Sequence, residues 1–318
     1  VDLNLKTLID FVQNPYFSEK TVEKEKGIIG QEIQMYNDNP DWRNYFGAIE
    51  NMYHHHPVKI DIAGTVESIS KITKDLLYEC YNTFYHPGNM LLFVVGPVNP
   101  EEMMEKIREN QRAKSFPEQP EIRRKFAEEP LEVHKKESVL AMNVQIPKCM
   151  VGIKSCYTGQ RGAEMLKTEL ALQLLLDMLF SQSSENYQNL YDEGLIDDFF
   201  SYDYTQEESF GFALIGGDSK EPEKLAERIK GILLEAQNGG NLAEEGLERM
   251  KKKRIGTFLR ALNSPEFIAN QFTRYAFNEM DLFQAVPMME RITFPEVKKI
   301  AQEFIHEDRI TVCKVMPK

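Results

Sequence analysis

The hydrophobic pattern of this chain changes period repeatedly. Apolar residues three and four apart predict helices over 3–12, 18–37, 41–53, 67–85 and 100–113. The unbroken run Met90-Leu91-Leu92-Phe93-Val94-Val95-Gly96 predicts a strand over 90–96. A stretch with little apolar periodicity follows, where Pro117, Pro120 and Pro130 stand among dense charges, and it predicts an extended linker over 116–138. Beyond it, strands are predicted over 139–146, 150–156, 199–205, 210–216 and 309–315. Helices are predicted over 162–181, 184–193, 221–237, 242–261, 265–278 and 294–305.

The two sides of the linker resemble each other. The segment from Ile72 matches the segment from Ile292 at a constant offset of 220, with Ile72/Ile292, Thr73/Thr293, Phe84/Phe304, His86/His306 and Val95/Val315 coinciding. Upstream, Pro40-Asp41-Trp42 matches Pro265-Glu266-Phe267 at an offset of 225. A unit this long is no solenoid repeat. The expectation is an α+β protein of two homologous domains, 1–115 and 139–318, each a sheet with helices packed on one face.

The sharpest chemical signal is in the helix predicted over 18–37, with Ser18 as its N-cap. At about 100° per residue, Glu25 and Glu32 point within roughly 20° of each other, two turns apart. Val22, Ile28, Ile29, Ile33, Met35 and Tyr36 share their half of the wheel, and the opposite half collects Glu23, Lys26, Gly27, Gly30, Gln31, Gln34 and Asn37. Two carboxylates thus fall on the face expected to be buried, where each must be paired, protonated or bound to metal. Ion pairs with basic residues from elsewhere in the fold would satisfy them equally well.

Composition narrows the classes. Hydrophobic residues make up 42% and charged residues 28%, ordinary for a globular chain. No apolar run approaches the roughly 20 residues of a membrane helix. The net charge is −12, with Lys and Arg scattered, which argues against nucleic acid as a partner. The four cysteines, Cys80, Cys149, Cys156 and Cys313, form no CxxC pair and are too sparse for a disulfide framework, so a cytoplasmic, reducing compartment and inert thiols are expected.

The segment TVEKEKGIIGQEIQMYNDNPDWR resembles the long helix that follows the zinc-binding motif in the pitrilysin/insulinase-type (M16) metallopeptidases. YHHHPVKIDIAGTVESISKITKDLLYECYNTFYHPGNMLLFVVG resembles the same family over its whole length, as does the duplication. In that family an inverted motif, HxxEH, supplies two zinc ligands from one helix, and a Glu on a second helix completes the site. The resemblance puts Glu32 in the zinc-ligand position and Glu25 in the catalytic supporting position seven residues before it. It implies Zn2+ as cofactor, a metal-bound water, and a general base within HxxEH. Peptide or small protein substrates would add to a sheet edge inside a chamber built by a homodimer or a heterodimer with a related subunit.

The sequence departs from that pattern in two places. There is no HxxEH or HExxH around His54, His55, His56, His86, His134 or His306, so the motif is expected upstream of Val1 and the 318 residues alone are expected to be inactive. The family stretch LRxxxGLAY corresponds to Leu190-Tyr191-Asp192-Glu193-Gly194-Leu195-Ile196, which lacks the Arg, so no substrate-clamping residue is assigned. The triplet His54-His55-His56 ends at Pro57 and is taken as a helix end and loop rather than a metal cluster. At the offset of 225, Glu25 and Glu32 correspond to Met250 and Thr257, so the second domain is expected to carry no metal site. The alternative is a structural or peptide-binding partner subunit of the same fold that has lost catalysis.

Overall fold

A computed structural model describes residues 2–119, 121–125 and 127–318. Pro120, one of the prolines expected in the linker, lies outside the described residues. In chain order the helices are α1 (Asp2–Gln13), α2 (Glu19–Asp38), α3 (Pro40–Met52), α4 (Val66–Ser70), α5 (Lys74–Phe84), α6 (Pro100–Arg112), α7 (Gly162–Phe180), α8 (Glu185–Asp192), α9 (Pro222–Gln237), α10 (Glu244–Ala261), α11 (Pro265–Phe277), α12 (Ala285–Arg291) and α13 (Phe294–Phe304). The strands are β1 (Glu137–Met142), β2 (Lys148–Lys154), β3 (Ser201–Gln206), β4 (Gly211–Asp218) and β5 (Ile310–Pro317).

Local chemistry sets the element ends. Asn39 caps α3 by accepting from the N–H groups of Asp41 and Trp42, and Pro40 fills the first helical position, where no N–H is needed. The single helix expected over 67–85 is two. Thr65 and Ser68 form a capping box on α4, and Thr73 starts α5 by accepting from the Leu76 N–H. A second cap inside an apolar pattern is invisible to periodicity alone. The short α12 was not anticipated for the same reason: seven residues hold too few turns to show a period.

The chain forms two compact units. The larger comprises 35–62 with the described residues from 127 to 318. Its sheet has the order β1-β5-β2-β4-β3, with β1 parallel to β5 and every other neighbour antiparallel. Both faces are covered. On one, α7 lies almost wholly buried, from Leu166 to Phe180, and packs with α9 and α13 in the main core. On the other, α3 crosses β5 and β2 and buries Phe46, Ala48, Ile49 and Met52 against Phe212, Leu214 and Cys313. Central strands enclosed on both sides read as continuous apolar runs, as β4 and β5 do.

Close approach between β2 and β4 depends on Gly216, where a Cβ would sit 2.0 Å from the Cys149 carbonyl oxygen. The atoms it would meet are all backbone, of Cys149 and Met150, so no flexible side chain can yield. Gly216→Ala is therefore expected to cost about 3 kcal/mol, the upper end of ordinary overpacking. A denaturant midpoint within error of wild type would show that the strands separate there without penalty.

The smaller unit comprises 2–34 and 63–125 in its described residues. It is helical, held by contacts such as Phe17 edge-on to Tyr78 at 5.0 Å and the Tyr81 hydroxyl donating to the Val12 carbonyl at 2.6 Å. Only Ile9, Val22, Ile33, Ile69 and Met103 are buried apolar side chains among its described residues, so it encloses little core.

This corrects the expected fold class. The described residues form one five-stranded sheet, not one sheet in each of two homologous domains, and helices cover both of its faces. The predicted strand 90–96 belongs to no ladder among the described residues, and Met90, Leu91, Leu92 and Val94 are exposed. A strand exists by pairing, and apolar content alone cannot supply a neighbour. What does repeat is the order of helices. Both ends of α11 lie 225 positions after those of α3, and both ends of α13 lie 220 after those of α5.

Candidate functional site

Helix α2 begins where the sequence places it. Ser18 and Thr21 exchange hydrogen bonds at its start, the Ser18 hydroxyl accepting from the Thr21 N–H at 3.2 Å and Thr21 Oγ1 from the Ser18 N–H at 3.1 Å. The face carrying Glu25 and Glu32 is open rather than buried. Both carboxylates are exposed, and so are Ile28 and Met35 beside them, 47% and 58% accessible. Only Val22 and Ile33 of this helix are buried. Lys26 is engaged elsewhere, donating to Glu23 at 2.6 Å and to the Ser70 carbonyl at 3.2 Å. Glu25 makes no ion pair among the described residues, so for it the ion-pair alternative has no support here.

The histidine triplet does what a loop at a helix end does. The backbone N–H groups of His54, His55 and His56 converge on one carboxylate, Glu129, each at 2.7 Å. His56 also accepts from the Val58 N–H through Nδ1 at 3.1 Å, and burial lowers its pKa. Glu129 completes its set with Lys154, whose ammonium donates to it at 2.6 Å, to the Pro130 carbonyl at 2.6 Å and to the Glu132 carbonyl at 3.2 Å. Burial alone would raise the Glu129 pKa. Lys154 and the three backbone donors outweigh it and bring the carboxyl down to about 2. Lys154 itself is pulled below its ordinary value by burial, with Glu129 opposing. No periodicity in the sequence announces this clasp. The available signal was Lys154, a cation ending the apolar strand stretch Cys149–Ile153.

The larger unit also holds a cleft of about 370 Å³ beside β3, lined from α7, α10 and α11. Thr257, the counterpart of Glu32, lines it. Its charges are largely settled among themselves. Arg274 grips Glu169 through two nitrogens at 3.0 and 2.7 Å, and Arg254 donates to Asp177 at 2.7 Å and Gln173 at 2.8 Å. The counterpart of Glu25, Met250, is buried in the core.

Residues 71–254 match the family described as the Peptidase M16 inactive domain. Over all 318 residues the chain is 62% identical to the uncharacterized zinc protease YmfH of Bacillus subtilis (strain 168) and covers 74% of it. The chain belongs to the M16 peptidase family. Among solved structures, an M16-like peptidase from Alicyclobacillus acidocaldarius is 40% identical with a TM-score of 0.96, over 100% of this chain and 75% of that one. A protease from Helicobacter pylori, 18% identical, shares the fold with a TM-score of 0.88 over 99% of this chain and 76% of that one. The family assignment agrees with the resemblance of the α2 segment.

No group of three or more His, Cys, Asp or Glu that could hold a metal occurs among the described residues. A tetrahedral catalytic zinc needs three protein ligands. No hydrolytic step follows from these residues alone. Among the described residues no helix is long and apolar enough to cross a membrane. All four cysteines are free; Cys149 and Cys313 are buried and Cys80 is exposed.

Proposed function

We propose that this chain is the Glu32-bearing part of a zinc-dependent endopeptidase subunit acting on extended peptides. Glu32 is its carboxylate zinc ligand, Glu25 supports the site from seven residues away, and the imidazole donors come from outside the described residues. The observation that carries this reading is the open face of α2, where two carboxylates stand among exposed apolar side chains with Glu25 committed to no ion pair. Such a face suits a second helix that brings the remaining donors and covers Ile28 and Met35. Assembly into a homodimer or a heterodimer with a related subunit would enclose the peptide, which binds by main-chain pairing with loose sequence preference.

A second reading, a non-catalytic partner subunit, is favoured by one observation: the stretch matched to the inactive-domain family, 71–254, excludes both Glu25 and Glu32. Metal and turnover separate the two readings. The 318 residues alone are expected to bind no stoichiometric zinc and to hydrolyse no peptide, because one carboxylate cannot hold the ion. Chelator-sensitive zinc at one ion per chain in this protein would show that the ligands have been misplaced. With a complete donor set, zinc-dependent cleavage supports the first reading and its absence the second.

A further inference from the structure

The charges of the cleft between α7, α10 and α11 leave a remainder. Arg274 is held by Glu169 and Glu207, and Arg254 by Asp177, so three carboxylates already meet two guanidiniums. Asp203, which also lines the cleft, is a fourth. Its carboxylate accepts from the Tyr204 N–H and makes no ion pair among the described residues, and the two arginines act on it only at a distance. The residue is accessible, yet the protein crowded around it raises its pKa. The cleft thus carries an excess of negative charge, which favours a cation.

Its other walls are apolar and aromatic, with two polar side chains unused. Phe258 of α10 stands edge-on to Phe267 of α11 at 6.0 Å, and Leu170 and Tyr275 line the cleft with them. Aromatic faces attract an ammonium group electrostatically. Tyr275 is only 6% accessible, yet its hydroxyl makes no hydrogen bond among the described residues. Burial, with Glu169 nearby, pushes that hydroxyl up to about 12, so it stays protonated and keeps its lone pairs for a donor. The Gln271 side chain, one turn earlier on α11, makes no hydrogen bond among the described residues either. A buried hydroxyl without a partner carries a desolvation cost that a ligand's N–H would relieve. The volume, about 370 Å³, lies at the low end for small-molecule sites and suits a small ligand rather than a length of chain.

We propose that this cleft binds a small organic amine as its ammonium ion, with the charge against Asp203 and the Tyr275 hydroxyl and the apolar body between Phe258 and Phe267. The site uses no residue of α2 and no metal, so it stands or falls separately from the zinc reading. The test uses the whole 318-residue chain in the presence of a chelator. The probe is 2-phenylethylamine, compared by calorimetric titration with the neutral 2-phenylethanol and the anionic 3-phenylpropionate. The amine should bind saturably at one per chain and slow amide exchange in β3, α10 and α11, and the anion should bind least. Asp203→Asn should weaken the amine about tenfold, the scale of one charge-assisted hydrogen bond, and erase its advantage over the alcohol. Tyr275→Phe keeps the ring and should weaken the amine about threefold, the scale of a neutral hydrogen bond. Melting of each variant checks that the fold is intact. The proposal is overturned if the amine does not bind, if 3-phenylpropionate binds as tightly, if either variant binds the amine like wild type, or if protection falls outside these three elements.

Discussion

Glu129→Ala is expected to destabilise the protein by about 3 to 5 kcal/mol, the range for removing one partner of a buried charge pair. Lys154, with 3% of its side chain accessible, would lose the carboxylate that opposes the effect of its burial and keep only carbonyl oxygens as partners, and the N–H groups of His54, His55 and His56 would lose their common acceptor. The effect should depend on pH with a definite sign. The folded carboxyl titrates at about 2, below its ordinary value of 4.5, so its contribution is complete above pH 4.5 and fades as pH falls toward 2. Wild type should thus lose stability over that window more steeply than Glu129→Ala. Denaturant melts between pH 7 and pH 2.5 check this, and parallel pH profiles would mean the clasp carries no net stability. Glu129→Gln should recover part of the loss, since the amide oxygen still accepts from the loop.

The second large effect concerns turnover. In the protein with its donor set complete, Glu32→Gln should abolish peptide cleavage, because the amide keeps the shape but not the charge that offsets the dication. Glu25→Gln should lower the rate about 10- to 100-fold, the usual range for groups that act through a ligand. Neither change should alter the stability of the apo protein by more than about 0.5 kcal/mol, because both side chains are exposed. Full turnover in Glu32→Gln, or strong destabilisation of the apo protein, would favour a structural role for this helix.

Most helices were legible because each has enough turns to show its period, and the caps at Asn39 and Thr73 stand in the sequence. The five strands of the larger unit were legible as apolar runs in β2, β4 and β5 and as alternation in β1 and β3. The strand expected over 90–96 joins no sheet among the described residues, because Met90–Val95 announces apolar content and cannot announce a partner. The helical wheel correctly grouped Glu25 with Glu32. It erred in calling their face buried, since a wheel shows which side chains point together and not whether anything covers them. The Glu129–Lys154 clasp joins residues 25 apart through a loop of irregular backbone, and no periodicity reports such a contact.

The most direct test of the central claim is zinc content by atomic emission after exhaustive dialysis, for the donor-complete protein and its two Glu variants. One zinc per chain should be found in wild type, close to one in Glu25→Gln, and none in Glu32→Gln. A Glu32→Gln protein that retained one zinc per chain would contradict the assignment of Glu32 as a ligand.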